Sequence, residues 1–236
     1  MIKILLMVVT FVILIAAASP AHAFDIKDID DPLIEIFFII SFLSFLPAVL
    51  IMFTSFSRIV IVLSFLRHAF GGQHLPPNPV IIGLSLFLTF FIMSPTITTI
   101  TDNAISPYIA EEITFGDALE QAESPIKEFM LKQTRQKALA LFIGLSKTPT
   151  PETPADLPIK VIVPAFAISE LKTAFEIGFL LFLPFLMIDM IVASILLSMG
   201  MMMLPPVMIS LPFKLLLFVL VDGWNLIVGT MVRSFS

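Results

Sequence analysis

The chain has 236 residues, of which 58% are hydrophobic and 13% charged, and its mean hydropathy is +1.05. Charged residues make up about a quarter of an ordinary globular protein, so this composition is typical of a membrane protein. The formal net charge of −5 without a basic run argues against nucleic-acid binding, and the lack of cysteine excludes disulfides, iron–sulfur clusters and thiol catalysis.

The first 23 residues have the pattern of a secretory signal peptide. Lys3 precedes an apolar run over residues 4–15, and the A-H-A sequence that ends at Ala23 predicts cleavage between Ala23 and Phe24. An uncleaved first transmembrane helix is the alternative, but the run is shorter than the roughly 20 residues that a spanning helix needs. A cleaved signal would leave the mature N-terminus on the outer side of the membrane.

Residues 24–101 predict an acidic linker followed by a first helical hairpin. The apolar run over residues 36–66 is interrupted by Pro47 and Arg58, and a loop rich in glycine and proline follows it. Residues 80–101 carry no charge and predict a spanning helix in spite of Pro95.

Residues 102–160 predict a charged soluble insert, because they contain nine acidic and six basic residues. Ser124 and Pro125 are suited to begin a helix, which we expect over residues 124–145. The prolines of residues 148–158 predict an extended tether. Phe129 and Phe142 give the helix an apolar surface for docking, although an exposed loop is equally compatible with the pattern.

Residues 161–236 predict a second helical hairpin with a methionine-rich turn, so the chain has four apolar segments in all. Gly200 and the prolines at 205 and 206 interrupt the helical pattern around Met201, Met202 and Met203. Methionine side chains are flexible and polarizable. In a single chain they would be filler at the tip of the hairpin, whereas in a ring they would form a soft seal around a pore.

Ionisable residues interrupt the apolar segments, and five of them are candidate buried charges. A charge at the centre of a membrane helix costs roughly 2.5–3.5 kcal/mol on insertion scales, so we expect these side chains to face protein and to act in assembly. They are Arg58, Glu170, Lys172, Glu176 and Asp189. Lys172 and Glu176 can pair along one helix face, Arg58 fits an interhelical cation, and Asp189 fits a structural acid better than a proton relay.

Motifs for catalysis or for a bound cofactor are missing from the sequence. No zinc-protease, phosphate-loop, dinucleotide-binding or nucleophile-elbow pattern occurs. After signal cleavage the histidines are His68 and His74, and their loop supplies no third ligand for a metal. We therefore expect neither catalytic residues nor a cofactor nor a metal.

Four segments of the C-terminal region resemble the FliP family of the flagellar export apparatus, which has relatives in virulence injectisomes. They are PAFAISELKTAFEIGF (164–179), PFLMIDMIVAS (184–194), MGMMMLPP (199–206) and LPFKLLLFVLVDGW (211–224). The resemblance extends over essentially the whole chain, and its motifs are most specific in the C-terminal half.

The resemblance implies an all-α, membrane-associated channel subunit of the type III export gate, which passes unfolded flagellar proteins across the bacterial inner membrane at the flagellar basal body. It implies a homo-oligomeric, pentameric ring with the partners FliQ and FliR, much of it on the periplasmic side. The methionine gasket of the family matches Met201, Met202 and Met203, and the glutamate of its S-E-L-K segment matches Glu170. A proton-coupled secondary transporter using Asp189 or Glu176, or a virulence-type homologue, is the alternative.

Overall fold

Helices make up nearly all of the described chain. The computed structural model describes residues 32–71, 76–146, 153–201 and 203–235, and no strand occurs within these ranges. The predicted all-α fold class is therefore confirmed, whereas assembly into a ring stays a prediction. The signal-cleavage residues Ala23 and Phe24, together with His74 and Met202, lie outside the described residues.

The chain divides into two units, Met1–Leu46 and Pro47–Ser236. In the first unit the described residues are helical, and the side chains of Ile36, Ile40 and Leu43 are exposed. All ion pairs and buried clusters described below belong to the second unit.

The first apolar run forms two helices rather than one. Helix α1 is Pro32–Phe53 and helix α2 is Phe56–Ala69, and the axis of Leu43–Phe53 is bent by 77° from that of α2. The break lies at Thr54, whose hydroxyl donates to the carbonyl of Leu50 and accepts from the backbone N–H of Phe56 at 3.3 Å. Such local hydrogen bonds of threonine compete with the helical pattern.

Helix α3, Asn78–Ile100, begins after Pro77 and ends close to residue 101, the predicted end of the span. A π-helical turn at Thr101–Ile105 and the short helix α4, Ser106–Ile109, extend it. The predicted boundary at residue 102 therefore lies inside a continuous helical path.

The insert forms two helices, α5 (Phe115–Gln133) and α6 (Gln136–Ser146), so the single helix predicted over residues 124–145 is wrong. Thr114 and Asp117 form a capping box that begins α5 ten residues before Pro125. Pro125 lies within α5. The predicted extended tether is also wrong in its described part, because Pro154–Asp156 forms a 3₁₀ turn.

The C-terminal region contains the longest helix, α7 (Ile159–Ser198, 40 residues), followed by α8 (Pro206–Leu220) and α9 (Gly223–Arg233). At 1.5 Å per residue α7 is about 60 Å long. Helices α8 and α9 are bent by 64° at Asp222, which has a φ of 50° in the left-handed region.

Within the described residues, two helical segments are long and apolar enough to cross a membrane, namely Asn78–Ile109 and Ile159–Ser198. The number rises to four if each bent pair, α1 with α2 and α8 with α9, forms one span. The four apolar segments expected from the sequence are thus present as helices.

Two buried apolar clusters hold the second unit together. The larger one joins α2, α3, α7, α8 and α9 and includes Leu63, Phe70, Phe185, Phe218 and Met231. Gly178 permits the close approach of α2 and α7, because a Cβ there would lie 2.6 Å from the ring of Phe65. The smaller cluster joins the insert to the first turns of α7 around Met130, Leu157 and Phe166.

Candidate functional site

Arg58 and Glu170 form an ion pair in the interior of the second unit. Arg58 lies in the first turn of α2 and Glu170 in the first half of α7, and their side chains are 2% and 0% exposed. Nε of Arg58 donates to Oε2 of Glu170 at 2.9 Å, and Nη2 donates to Oε1. Forked contacts between guanidinium and carboxylate are strong and specific in orientation. The pair therefore fixes α2 against α7.

The other N–H groups of Arg58 bind two further elements. Nη1 donates to the carbonyl oxygen and to Oγ of Ser234, each at 3.0 Å, and Nη2 donates to Oε1 of Gln133 at 3.1 Å. The ring centroid of Phe235 lies 3.7 Å from Cζ of Arg58. All five donors of the guanidinium are thus satisfied. Elements α2, α5, α7 and the segment after α9 meet at one buried cation.

A second ion pair joins Asp189 of α7 to Lys214 of α8, with side chains 23% and 1% exposed. Nζ of Lys214 donates to Oδ2 of Asp189 at 2.6 Å and to the carbonyl of Ala69 at 2.9 Å. Oγ of Ser210 donates to Oδ1 of Asp189 at 2.5 Å. Because Ala69 ends α2, its carbonyl lies at the negative end of that helix, where a cation is favoured.

The Asp189–Lys214 pair joins the two helices that flank the methionine-rich turn. Asp189 is nine residues before Ser198, the end of α7, and Lys214 is eight residues after Pro206, the start of α8. At 1.5 Å per residue, the pair joins the two stems of the turn about 12–14 Å from its base. The stems are therefore fixed to each other and to the end of α2.

A third ion pair holds the insert on α7. Arg135, between α5 and α6, contacts both carboxylate oxygens of Glu176, at 3.2 and 2.5 Å. Its Nη2 also donates to Oγ1 of Thr173 at 3.0 Å, and its backbone N–H donates to Oγ of Ser169 at 3.0 Å. Unlike the first two pairs, this pair is largely exposed, so solvent weakens its contribution to stability.

Lys172 lies on the exposed side of α7. Its side chain is 58% exposed, and its Nζ is 3.9 Å from Oε1 of Glu176, whose shorter contacts go to Arg135. The predicted pairing of Lys172 with Glu176 is thus present but weak. Burial of these two side chains by an assembly stays a prediction.

The methionine-rich turn follows a well-defined end of α7. Gly200 has a φ of +74°, its N–H donates to the carbonyl of Leu197 at 3.1 Å, and the N–H of Met201 donates to the carbonyl of Leu196 at 3.0 Å. This pattern is a Schellman motif, which requires a left-handed residue such as glycine. Met203 beyond it is 98% exposed. The turn therefore presents the side chain of Met203 away from the helices.

Phe129 and Phe142 both pack against the smaller apolar cluster. The ring of Phe129 meets that of Phe166 of α7 edge to face, with centroids 6.0 Å apart, and stacks with Phe235 at 6.3 Å. The insert therefore packs on the first turns of α7 through the residues that the sequence singled out. Docking of the insert on other subunits stays a prediction.

Within the described ranges, no three histidine, aspartate or glutamate side chains lie close enough together to hold a metal ion. His68 directs Nδ1 to the carbonyl of Ser64 at 2.6 Å. His74, the other histidine of that loop, lies outside the described residues.

The comparisons with known proteins agree in one family. The FliP family matches residues 39–231, which is most of the chain. The chain belongs to the FliP family. It is 58% identical over 202 residues to the flagellar biosynthetic protein FliP of Bacillus subtilis, covering 86% of this chain and 91% of that protein.

Other FliP-family members are similarly related to this chain. FliP of Pectobacterium carotovorum is 55% identical over 82% of this chain and 75% of its own length, and FliP of Aquifex aeolicus is 53% identical over 86% of each. The matched range includes both buried ion pairs and the methionine-rich turn. The sequence-based assignment to the FliP family is therefore confirmed.

Sequence reasoning missed the partners of the buried charges in this FliP-family chain. They are Gln133, Ser210, Lys214, Ser234 and Phe235, and the exposed partner of Glu176, Arg135, was missed as well. One usable signal was present: Asp189 and Lys214 interrupt two apolar segments that a hairpin places side by side. The partners of Arg58 had no such signal, because they come from segments far apart in the sequence.

Proposed function

We propose that this chain is a core channel subunit of the flagellar protein export gate and passes unfolded flagellar proteins across the bacterial inner membrane. The observation that carries the proposal is the FliP-family match across residues 39–231, with relatives that are named flagellar biosynthetic proteins. We propose a passive conduit without catalytic residues or a cofactor.

The methionine-rich turn is the proposed gasket of the channel. Several copies of the chain, five in the family arrangement, would form a ring with FliQ and FliR in which the turns converge. Met201, Met202 and Met203 of each copy would then line one constriction. An exposed Met203 on a stem fixed by the Asp189–Lys214 pair supports this arrangement. Flexible thioether side chains can adapt to an unfolded chain of any sequence.

The exposed side of α7 is the proposed contact with neighbouring subunits. Leu171, Phe175 and Phe179 are exposed there beside Lys172. Burial of this face would cover the charges that are expensive in lipid. We propose that the signal peptide is removed, that the insert of residues 102–160 docks within the assembly, and that much of the ring lies on the periplasmic side at the basal body.

A proton-coupled transporter is not favoured by the geometry. Both carboxylate oxygens of Asp189 accept hydrogen bonds, from Ser210 and from Lys214. Glu176 is held by Arg135 on an exposed face. Both acids therefore have structural partners that explain their presence.

The export proposal is tested in the organism that carries this gene. Deletion should abolish secretion of filament protein and swimming, and a plasmid copy of the wild-type chain should restore both. The Arg58→Ala variant should fail to restore them, whereas Lys137→Gln, an exposed cation without a described ion pair, should succeed. Normal secretion in the deletion strain would refute the proposal.

A further inference from the structure

An apolar groove of about 510 Å³ lies between α7, α8 and α9, beside the bend at Asp222. Its lining includes Ile177, Leu181 and Phe185 of α7 and Ile227 and Met231 of α9, and Thr230 is the sole polar side chain among the lining residues. Gly223 keeps the bend tight, because a Cβ there would lie 2.2 Å from the ring of Phe218. The 64° bend opens the groove by turning α9 away from the line of α8.

The rim of the groove is apolar and exposed in the single chain. Leu180 and Leu226 stand on opposite sides of it, on α7 and α9, and both are exposed. Contiguous apolar surface of this kind is unfavourable in water and marks a contact with lipid or with another apolar molecule. We therefore expect an apolar molecule to bind in the groove.

The groove has the volume of a small-molecule site. The lining spans residues 177–185 of α7 and 223–231 of α9, about 12 Å of each helix. The groove offers about 510 Å³, within the range of roughly 300–1,000 Å³ that small-molecule sites cover.

A cation stands at one end of the groove. Arg233 is exposed at the end of α9, three residues after Thr230 and seven after Leu226, so all three lie on one face of the helix. Among the described residues Arg233 has no ion pair and no side-chain hydrogen bond. At the other end the carboxylate of Asp222 accepts from Asn225 at 2.5 Å. Arg233 and Asp222 thus place opposite charges at the two ends of α9, and the carboxylate of Glu176, one turn before Leu180, is held by Arg135.

We propose that this groove binds one acyl chain of an anionic membrane phospholipid, with the phosphate group at Arg233. The apolar lining accepts the chain, the lone guanidinium pairs with the phosphate, and the carboxylate at the far end sets the orientation. The site needs membrane insertion but not protein export, so it is independent of the export function.

Trp224 provides a built-in probe of this site. It is the single tryptophan of the chain, and its ring meets that of Phe218, a lining residue, with centroids 5.4 Å apart. The purified full chain is reconstituted in phosphatidylcholine vesicles that contain a small fraction of phosphatidylglycerol with brominated acyl chains, which quench tryptophan fluorescence on contact. A parallel sample contains the same fraction of brominated phosphatidylcholine.

We expect brominated phosphatidylglycerol to be enriched about fivefold at Trp224 over brominated phosphatidylcholine, which corresponds to about 1 kcal/mol for one cation near the surface. Arg233→Gln should reduce quenching by the anionic lipid to the phosphatidylcholine level, and Lys137→Gln should not. Thr230→Phe, which fills the groove, should reduce quenching by both lipids, with circular dichroism as the check on folding.

Equal quenching by the two lipids in the wild type would overturn the proposal, as would an anionic preference that survives in Arg233→Gln. Full quenching in a folded Thr230→Phe variant would place the lipid elsewhere and also reject the site. If neither lipid quenches Trp224, the groove is covered by protein, a second copy of this chain being the first candidate, and the lipid proposal fails.

Discussion

Arg58 and Glu170 are 112 residues apart in the chain, and their side chains form a forked ion pair that is closed to solvent. Through Gln133 and Ser234 the same guanidinium also binds the insert and the segment after α9. A single buried cation thus connects four parts of the fold. Because a buried charge is costly without its partner, each of these contacts depends on the others.

Glu170→Ala should therefore destabilise the chain strongly. Arg58 would remain buried with an uncompensated charge, at a cost of about 3–5 kcal/mol. Thermal unfolding of the purified protein in detergent measures the effect, and the yield of oligomer should fall with it. Glu128→Ala is the matched control, because it breaks the exposed Glu128–Lys132 pair, which is worth about 0.3–0.5 kcal/mol. Similar losses in both variants would contradict the structural role of the buried pair.

The Asp189–Lys214 pair predicts that its two single variants differ in thermal stability. Asp189→Ala leaves the ammonium of Lys214 buried with only the Ala69 carbonyl, whereas Lys214→Met leaves a carboxylate that is partly exposed and still bound by Ser210. Asp189→Ala should thus lower the melting temperature more than Lys214→Met, since desolvation of an unpaired charge grows with burial. The reverse order would mean that the pair is arranged differently in the membrane.

The turn at Gly200 and the start of α5 show which parts of this fold can be predicted from the sequence. The turn at Gly200 was predictable because a glycine and two prolines stand beside a methionine cluster, and local residues determine it. The start of α5 was not, because Ser124 and Pro125 also resemble a helix start and the capping box at Thr114 forms the real one. Two local helix-start patterns thus compete in this segment, and the capping box at Thr114 is the one that begins α5.

The candidate site was predictable in its members but not in its pairing. Arg58, Glu170 and Asp189 stand in apolar sequence, where an unpaired charge would be costly, so each could be predicted to have a partner. The choice of Glu170 as the partner of Arg58, and of Lys214 as that of Asp189, depends on how the helices cross, which no local pattern encodes. The exposure of Lys172 likewise depends on which side of α7 the other helices cover.

The capping box of α5 predicts a pH dependence at the start of the insert. The hydroxyl and the backbone N–H of Thr114 donate to the Asp117 carboxylate at 2.7 and 3.2 Å, and these bonds hold the pKa of Asp117 below its usual value of 3.8. A carboxylate whose pKa is lower in the folded state stabilises that state above the unfolded-state pKa, and this contribution is lost as the pH falls through the folded value.

Hydrogen exchange in the first turn of α5, corrected for intrinsic rates, should therefore lose protection in acid. Asp117→Asn should remove most of this pH dependence, while Asp156→Asn, in the separate turn at Thr153, should leave it in place. Unchanged pH dependence in Asp117→Asn would assign the effect to another group.

The insert should depend on Phe142 for its position on α7. Phe142 packs against the cluster around Met130 and Phe166, whereas the adjacent Leu141 is exposed. Phe142→Gln should cost about 1–3 kcal/mol, because it places an amide in apolar surroundings without partners. Leu141→Gln, the control, should stay within about 0.5 kcal/mol. Limited proteolysis between α6 and α7 measures the release of the insert, and equal cleavage of both variants would remove Phe142 from its docking role.

The methionine-rich turn should seal the proposed channel without holding the ring together. Met203 is almost fully exposed, so shortening it removes little packing within the chain, and the stems remain joined by Asp189 and Lys214. A narrow apolar constriction resists ions because it hydrates them poorly and can close by dewetting.

Replacement of Met201, Met202 and Met203 by alanine should therefore raise the permeability of cells that express the assembled complex to small ions or dyes, while the yield of oligomer stays close to that of the wild type. Met208→Ala, an exposed methionine on α8 outside the turn, is the control and should not leak. A triple variant that assembles normally and leaks no more than the wild type would show that these methionines only fill the tip of a hairpin, because a channel that relies on their bulk for closure cannot remain tight after they are shortened.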